Sequence, residues 1–463
     1  MNDILNTDTI AAISTGYSSG GIAVIRISGN EAFAVSDRIF RGKDSPLSSC
    51  ASHTVHYGHI IEPSDGSVVD EVLVSVFRAP RTYTREDVVE ISCHGGMFVA
   101  RKILSLLFEF VRPAEPGEFT KRAFLNGRID LSEANAVADI ISSDNDNYLK
   151  NAERQLSGVL SKKVEDFRSK IIYEAAFIES AVDDPENYSL EGYSEGLSKK
   201  LDELIKGLSS LSETFTEGRI MKEGVETLII GKPNVGKSSI LNCLSKNESA
   251  IVTDIPGTTR DLITEKIRLS GFTLNLIDSA GVHEAGDRVE AIGVERTLSK
   301  IEEAELIIFA VDSSEELDEN DFRIIDEING KNVIILLNKS DKPCGLSEKS
   351  LKKLANLSKY VLQFSAKNGN GIDSLGAAIT DIFFSGKGAA GKEIIITDER
   401  QKAECDNAVK SLSLVKRSIE DGLSEDFFTQ DLMDAYDALG RIIGKGISED
   451  LIDEIFSKFC MGK

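Results

Sequence analysis

The sequence has 463 residues, more than one ordinary hydrophobic core can hold, so about two to four domains are expected. It has 53 lysines and arginines and 76 aspartates and glutamates, which gives a net charge of −23. This charge excludes a surface that coats nucleic acid in general. Contact with RNA would therefore need a local basic patch or a partner protein. It has no run of about 18 apolar residues, no signal-like N-terminus and no CxxC pair among its six cysteines, so we expect a cytoplasmic protein without a membrane span, a zinc site or disulfides.

The first part of the chain is typical of a strand-rich α+β domain. Short apolar runs at 21–28, 69–77 and 88–93, bounded by glycine, proline and aspartate, predict strands. A run at 100–110 has helical spacing and stops before a proline. We therefore predict an N-terminal α+β domain over residues 1–120.

The pattern then becomes helical. Apolar residues that recur every three or four positions predict one face of a long helix from Leu149 to Val182, which Pro185 stops. Between this helical region and another near the C-terminus, a buried-strand run at 225–230 opens an alternating β/α segment, and a glycine-rich linker follows that segment. This order predicts a helical domain in two parts, 121–220 and 385–463, with an α/β domain, 221–384, inserted into it.

The inserted domain carries a phosphate-binding sequence. Residues 231–238 read GKPNVGKS, which fits GxxxxGK[ST], directly after an apolar strand run and before a helical run. Glycines let backbone N–H groups curl around phosphate oxygens, and the helix N-terminus adds a favourable dipole. We expect Lys237 to reach the β- and γ-phosphates as a catalytic group and Ser238 to ligate Mg²⁺. The nucleotide-binding candidates here are Asn234, Val235, Gly236, Lys237, Ser238 and Ser239.

Two further loops indicate guanine as the base. NKSD at 338–341 follows a strand run, and the Asp341 carboxylate can accept hydrogen bonds from guanine N1–H and the 2-amino group, which adenine does not offer. SAK at 365–367 follows another strand run and fits the loop that supports guanine O6. The base-binding candidates are Asn338, Lys339, Asp341, Ser365, Ala366 and Lys367.

Two segments between these motifs complete a GTPase pattern. DSAG at 278–281 ends a strand run, so Asp278 suits an outer-sphere Mg²⁺ position and Gly281 can offer its N–H to the γ-phosphate. Thr258 and Thr259 lie in a loop suited to switch I. The elements in this order predict a GTP hydrolase with a Ras-like P-loop G domain, and they resemble the translation-factor-like GTPases. The candidates in the DSAG sequence are Asp278, Ser279, Ala280 and Gly281.

The group that positions the attacking water is not fixed by these motifs. Ras-like enzymes place a glutamine directly after the DxxG glycine, and here that residue is Val282, which cannot hydrogen-bond. The acidic residues that follow are therefore the candidates. Glu290 is favoured, while Glu284 and Asp287 stay open as alternatives.

Several segments along the whole chain resemble one family, the MnmE/TrmE tRNA-uridine-modification GTPases. They are GGIAVIRISG at 20–29, EDVVEISCHGG at 86–96, PGEFTKRAFLNGR at 116–128, TDIPGTTRD at 253–261, IGVER at 292–296 and FCMGK at 459–463. The last of these looks like the family's C-terminal Cys-x-Gly-Lys signature.

The resemblance implies a multidomain α/β plus α fold. Its parts would be an N-terminal α+β folate-binding domain, through which homodimers form, a helical domain and the inserted G domain. With an FAD-dependent partner of the MnmG/GidA type, such a protein installs an aminomethyl or carboxymethylaminomethyl group at C5 of the wobble uridine in tRNA. A tetrahydrofolate derivative would supply the one-carbon unit, and K⁺ would replace an arginine finger between paired G domains.

The resemblance also assigns roles to residues. Folate contacts would be Arg26, Glu90, Arg128 and Lys463. Mg²⁺ would be held by Ser238 and Thr259, and K⁺ by Asn234, Thr253, Ile255 and Thr258. Other nucleotide contacts of that loop would be Asp254, Pro256 and Gly257. The family's catalytic glutamate falls on Glu290.

Two other functions stay open on the sequence. The first is a GTP-dependent binding switch without one-carbon chemistry, and the second is a folate enzyme whose GTPase is passive. The set of Arg26, Glu90 and Arg128, together with the C-terminal signature, favours the coupled enzyme over a pure switch, because a switch needs neither.

Overall fold

The structure is a computed structural model that describes residues 8–16, 20–43, 46–247, 265–277, 300–384 and 394–462. By its internal contacts the chain divides into two units. The first comprises Met1–Ile141, Gln155–Asp202 and Asn407–Lys463, and the second comprises Ser142–Arg154 and Glu203–Asp406. The predicted domain boundaries near residues 120, 220 and 384 stay predictions.

Strands and helices are numbered in chain order within the described residues. The strands are β1 (Ile10–Ile13), β2 (Ile22–Ser28), β3 (Phe40–Gly42), β4 (Thr54–Ile61), β5 (Val68–Phe77), β6 (Val88–His94), β7 (Arg112–Pro113), β8 (Val225–Ile230), β9 (Glu265–Leu269), β10 (Phe272–Leu276), β11 (Leu306–Asp312), β12 (Val333–Asn338) and β13 (Val361–Gln363). The helices are α1 (Ala32–Ile39), α2 (Met97–Leu107), α3 (Glu118–Leu125), α4 (Leu131–Ser142), α5 (Asp146–Leu156), α6 (Val159–Asp183), α7 (Tyr193–Glu213), α8 (Phe215–Glu223), α9 (Lys237–Asn247), α10 (Glu319–Glu327), α11 (Glu348–Leu357), α12 (Ile372–Phe383), α13 (Glu399–Glu420), α14 (Asp426–Ile442) and α15 (Glu449–Ser457).

The first unit contains a sheet that is buried on one face. Its strand order is β3-β4-β5-β6-β2-β1-β7, with antiparallel neighbours except for the parallel pair β1–β7. In β5, Val72 and Val74 are buried in one core cluster with Ile39 of α1 and Ile103 of α2. Leu73 points to the other face and is exposed, as the alternation of a half-buried strand requires.

The long helix predicted before Pro185 is interrupted in the structure. The helix predicted to run from 149 to 182 is two helices, because α5 ends at Leu156 and α6 begins at Val159. Gly158 between them is left-handed, with φ of 76°, and such a residue ends a helix. α6 then packs along α14, where the Arg168 guanidinium lies 3.9 Å from the centre of the Tyr436 ring. No helix in the described parts of the chain is long and apolar enough to cross a bilayer.

The second unit contains a sheet covered on both faces. Its strand order is β13-β12-β11-β8-β10-β9, parallel except for the antiparallel pair β9–β10. In β12, Ile334 packs with Ile240 of α9 in one core cluster, whereas Ile335 packs with Leu354 of α11 in another. Helices therefore lie on both faces, and the loops at the carboxyl ends of the parallel strands form the edge where ligands bind in such folds.

Candidate functional site

The phosphate-loop sequence and both base-reading sequences follow parallel strands of the second unit. They come after β8, β12 and β13, which end at Ile230, Asn338 and Gln363. In the register of the last two strands Leu337 pairs with Gln363. Because the carboxyl ends of parallel strands meet at one edge, the sheet brings these distant sequences together.

The loop after β8 turns tightly into α9. Gly231, Asn234 and Gly236 all have left-handed backbone, with φ of 152°, 63° and 99°. A Cβ on Gly236 would lie 2.5 Å from Nδ2 of Asn338, so no larger residue fits there without a shift. α9 begins at the next residue, Lys237, and its first N–H groups face the loop. This arrangement is suited to binding an anion.

The Lys237 side chain lies over this loop. Its Nζ donates to the carbonyl oxygens of Gly231 at 2.8 Å and of Lys232 at 3.0 Å. Burial lowers the pKa of Lys237, and the side chain has no carboxylate partner among the described residues. An ammonium has three donors, so one remains to meet a phosphate oxygen. Ser238 follows in the first turn of α9.

Asn338 ties the phosphate loop to the base-reading loops. Its buried side chain donates from Nδ2 to the Val235 carbonyl at 2.7 Å and accepts at Oδ1 from the Ala366 N–H at 3.1 Å. The side-chain amide of Asn338 therefore connects the two base-reading loops, at 338–341 and 365–367, with the phosphate loop.

Asp341 lies in a cleft beside the phosphate loop. The Ser365 hydroxyl donates to its Oδ1 at 2.9 Å, and this hydrogen bond is the main reason that the pKa of Asp341 is lowered. The cleft has a volume of about 790 Å³, and its lining includes Ser239, Asn338, Lys339, Asp341, Ala366 and Lys367. The structure thus places the predicted base-binding residues around one cleft, next to the anion-binding loop. The ionised acceptor in this cleft is the Asp341 carboxylate.

One buried carboxylate at this edge is not marked by any of the sequence motifs. Asp312 is the last residue of β11, and its Oδ2 accepts from Lys339 Nζ at 2.5 Å. The same Nζ donates to the Asn234 carbonyl at 2.9 Å. The only sequence signal is an apolar strand run that ends in an acidic residue, which by itself does not specify a partner.

In the first unit, Arg26 and Glu90 face each other on β2 and β6. The antiparallel register pairs the two residues directly. Both Nε and Nη2 of Arg26 lie 2.8 Å from Oε1 of Glu90, and both side chains are mostly buried. Because the two contacts go to one oxygen, the other oxygen of Glu90 has capacity to accept from a ligand.

Arg128 and Arg26 both lie near the aromatic ring of Tyr83. The Tyr83 ring centre lies 5.6 Å from the guanidinium of Arg26 and 4.7 Å from that of Arg128. Arg128 also donates to the Tyr83 carbonyl at 3.2 Å. A cavity of about 520 Å³ is lined by Tyr83, Glu90 and Arg128 together with Pro80, Arg81 and Arg85. In the described parts of the chain Arg81 and Arg85 form no ion pair, so this pocket of an acidic protein carries an excess of positive charge.

The C-terminal residues lie against the same sheet. The Ser14 hydroxyl donates to the Gly462 carbonyl at 3.0 Å, and the Gly117 N–H donates to the Cys460 carbonyl at 3.2 Å. Gly462 is left-handed, and a Cβ there would lie 2.2 Å from the Ile13 carbonyl oxygen. Gly462 is therefore held beside β1, which is the neighbour of β2, the strand that carries Arg26.

The remaining candidates lie outside the described residues, and their roles stay predictions. They are Thr253, Asp254, Ile255, Pro256, Gly257, Thr258, Thr259, Asp278, Ser279, Ala280, Gly281, Glu290 and Lys463, with Glu284 and Asp287 as the alternatives to Glu290.

The geometry at the edge of the second sheet defines a class of protein, the P-loop GTP hydrolases, because an anion-binding loop and a guanine-type acceptor meet there. Comparison with known families agrees: the description "MnmE helical domain" matches residues 131–460, and "GTP-binding protein TrmE N-terminus" matches residues 9–128. The chain belongs to the MnmE/TrmE family of tRNA modification GTPases.

Similar proteins include two bacterial relatives of nearly equal length. The tRNA modification GTPase MnmE of Lachnoclostridium phytofermentans is 50% identical, over 99% of this chain and 100% of the relative. That of Acetivibrio thermocellus is 48% identical, over 98% of this chain and 99% of the relative. Among solved structures, the G domain of the Thermotoga maritima FeoB iron transporter is 26% identical over 34% of this chain and 97% of that chain, with a TM-score of 0.24. The chain is thus a GTP hydrolase that acts in tRNA modification.

Proposed function

We propose that this chain hydrolyses GTP in a K⁺-stimulated reaction and, with an FAD-dependent partner of the MnmG/GidA type, takes part in folate-dependent addition of an aminomethyl or carboxymethylaminomethyl group to C5 of wobble uridine in tRNA. The observation that carries the proposal is that one chain holds both the cleft around Asp341 and the pocket lined by Glu90 and Arg128, in which Glu90 is paired with Arg26. A GTP-dependent switch needs the first and has no use for the second. The setting would be the cytoplasm, where tRNA is modified.

GTP fits the first site by the chemistry of its donors and acceptors. The Asp341 carboxylate can accept from guanine N1–H and the 2-amino group while Ser365 holds its other side. The loop N–H groups and the Lys237 ammonium would bind the phosphates. Lys367 lines the cleft on the side of the loop that would support guanine O6.

Mg²⁺ and K⁺ fit the oxygen donors beside that loop. The Ser238 hydroxyl lies in the first turn of α9, where a phosphate-bound Mg²⁺ would be ligated. Asn234 is exposed at the left-handed turn of the loop, and its side-chain oxygen would be a K⁺ ligand. When bound, the two ions would neutralise phosphate charge. The further ligands, Thr259 for Mg²⁺ and Thr253, Ile255 and Thr258 for K⁺, rest on the family resemblance.

A tetrahydrofolate derivative fits the second site. Glu90 can accept from the amino and ring N–H groups of a pterin, and the Arg26 guanidinium holds its carboxylate in place. Arg128, with Lys463 at the chain end, would meet carboxylate groups of the folate. The position of Gly462 beside β1 supports a role for Lys463, which directly follows Gly462 in the sequence.

The partners of the proposal also have support in the first unit. The outer face of the sheet exposes Val55, Tyr57 and Leu73, of which the last two are cross-strand neighbours, and we propose this face for the homodimer contact. The cationic residues Arg81 and Arg85 are the basic patch nearest to the folate pocket, and tRNA phosphates would meet them there.

Analysis of tRNA from cells that lack this protein tests the proposed chemistry directly. Mass spectrometry of the wobble nucleoside should show loss of the C5 aminomethyl-type substituents, and the intact gene should restore them. A gene carrying Arg26→Ala should fail to restore them although its product still hydrolyses GTP. Normal wobble uridine in the deletion strain would contradict the proposal and favour a binding switch without one-carbon chemistry.

Folate binding should depend on the Arg26–Glu90 pair and should be independent of GTP turnover. Arg26→Ala or Glu90→Gln should abolish detectable binding of 5-formyltetrahydrofolate in calorimetry, because each change leaves the other charge without its partner in a mostly buried place. Arg41→Ala is the matched control, since Arg41 is an exposed arginine of the same unit that bonds only nearby backbone oxygens in the described structure. Unchanged folate affinity in both site variants would show that this pocket is not the folate site.

A further inference from the structure

We propose that Asp312 is a positioning residue for nucleotide binding: through the Lys339 ammonium it holds the Asn234 carbonyl and so sets the orientation of the phosphate loop. The inference rests on the proposed assignment of the guanine nucleotide to the cleft around Asp341. It concerns a residue that touches neither the base nor the phosphates in that assignment.

The Asp312 carboxylate is fixed on both oxygens. The residue is buried, with 4% of its surface exposed, at the carboxyl end of β11. Its Oδ1 accepts from the Ser314 N–H at 2.9 Å and from the Ser314 hydroxyl at 2.6 Å. Its Oδ2 accepts from Lys339 Nζ at 2.5 Å. A carboxylate held in this way cannot turn away from the ammonium without breaking at least one of these bonds.

The charge of this carboxylate persists despite its burial. Desolvation acts to raise the pKa of Asp312, but the hydrogen bonds from Lys339 and Ser314 outweigh it and hold the pKa below its ordinary value. The Asp312 carboxylate is therefore charged under ordinary conditions. The carboxylate restrains the long side chain of Lys339 before the nucleotide binds. Nucleotide binding then costs less of the rotamer freedom of this side chain.

The restrained ammonium acts on one peptide of the phosphate loop. Lys339 Nζ donates to the Asn234 carbonyl at 2.9 Å. In a planar trans peptide the C=O and the following N–H point in opposite directions, so this bond turns the Val235 N–H away from Lys339. Asn338 holds the next carbonyl, that of Val235, in the same manner at 2.7 Å.

Two consecutive N–H groups of the loop are therefore oriented from the base-reading side. Asn234 has φ of 63°, in the left-handed region that asparagine tolerates better than most other residues, and the contact from Lys339 helps to hold the loop in this conformation. Without Asp312, the Lys339 ammonium would still have its N–H donors but would lose the carboxylate that fixes its position. The loop would then pay for its own ordering when the phosphates bind.

A double-mutant cycle between Asp312 and Lys339 tests the inference. Asp312→Asn keeps the shape of the side chain and removes its charge, and we expect about tenfold weaker GDP and GTP binding, the usual cost of one charge-assisted hydrogen bond. In a Lys339→Ala background the same change should cost less than about twofold, because the carboxylate no longer has a group to position. Ser314→Ala, which leaves the charge in place but removes one of its supports, should give a smaller loss of the same kind.

Asp381→Asn is the matched control, because Asp381 pairs with Lys359 and Tyr360 at an exposed place in the same unit and should not affect nucleotide affinity. Thermal melting reports whether each variant is folded. If Asp312→Asn does not fold, the nucleotide affinity of Ser314→Ala tests the inference instead. Equal losses in both backgrounds, or unchanged affinity in folded Asp312→Asn, would overturn the inference. If Asp341→Asn keeps the guanine preference, the site assignment itself has failed, which is a separate result.

Discussion

Asp341→Asn should bind GTP about 100-fold more weakly than the unchanged chain and should bind xanthosine triphosphate better than GTP. The carboxylate is the acceptor for two guanine donors, and the hydrogen bond from Ser365 fixes its orientation in the cleft. An asparagine amide keeps one acceptor and gains a donor, which can pair with the carbonyl that xanthine carries at C2. Competition binding with GTP, xanthosine triphosphate and ATP measures the change.

Two further variants make this result specific to the cleft. Ser365→Ala should weaken GTP by a few-fold without a change of base preference, because it releases Asp341 but leaves the acceptor in place. Asp326→Asn removes an exposed carboxylate of α10 in the same unit and should change nothing. If Asp341→Asn binds GTP and xanthosine triphosphate as the unchanged chain does, the guanine contact lies elsewhere.

The second unit could largely be predicted from sequence because its strands are buried on both faces. Such strands read as continuous apolar runs, and the runs at 225–230 and 333–337 correspond to β8 and to nearly all of β12. The phosphate-loop and NKxD motifs are local in sequence. Once each follows a parallel strand, the topology places it at the shared sheet edge, as the contact between Asn338 and Val235 shows.

Contacts between distant residues could not be predicted in this way. Arg26 and Glu90 are 64 residues apart, and their pairing depends on the register of β2 and β6, so only the family resemblance pointed to both. The contact of Lys339 with Asp312 depends in the same way on the register of β11 and β12. The helix break at Gly158 is a further case, because apolar spacing continues across it while the backbone turns left-handed.

GTP hydrolysis should be much faster in KCl than in NaCl and should depend on Glu290. Val282 leaves no glutamine to orient the water, so the chain needs another group for that task. Asn234 lies exposed at the turn of the phosphate loop, and the structure describes no hydrogen bond from its side chain to any described residue. A large monovalent cation held there would stabilise the charge that develops on the phosphates during transfer, whereas the smaller Na⁺ would fit the same oxygens poorly.

Glu290→Ala should lower turnover about 100-fold or more at saturating KCl, as expected for a lost water-positioning group, and should keep the GTP affinity, since Glu290 is not expected to touch the bound phosphates. Glu284→Ala and Asp287→Ala are the matched controls, because they remove the other acidic candidates of the same segment and should keep most of the turnover. Single-turnover rates in K⁺ and in Na⁺, measured at several protein concentrations, separate the two effects: pairing of G domains should make the K⁺ rate rise with concentration. If Glu284→Ala or Asp287→Ala is the inactive variant, that residue positions the water, and equal rates in K⁺ and Na⁺ would exclude the cation from the mechanism.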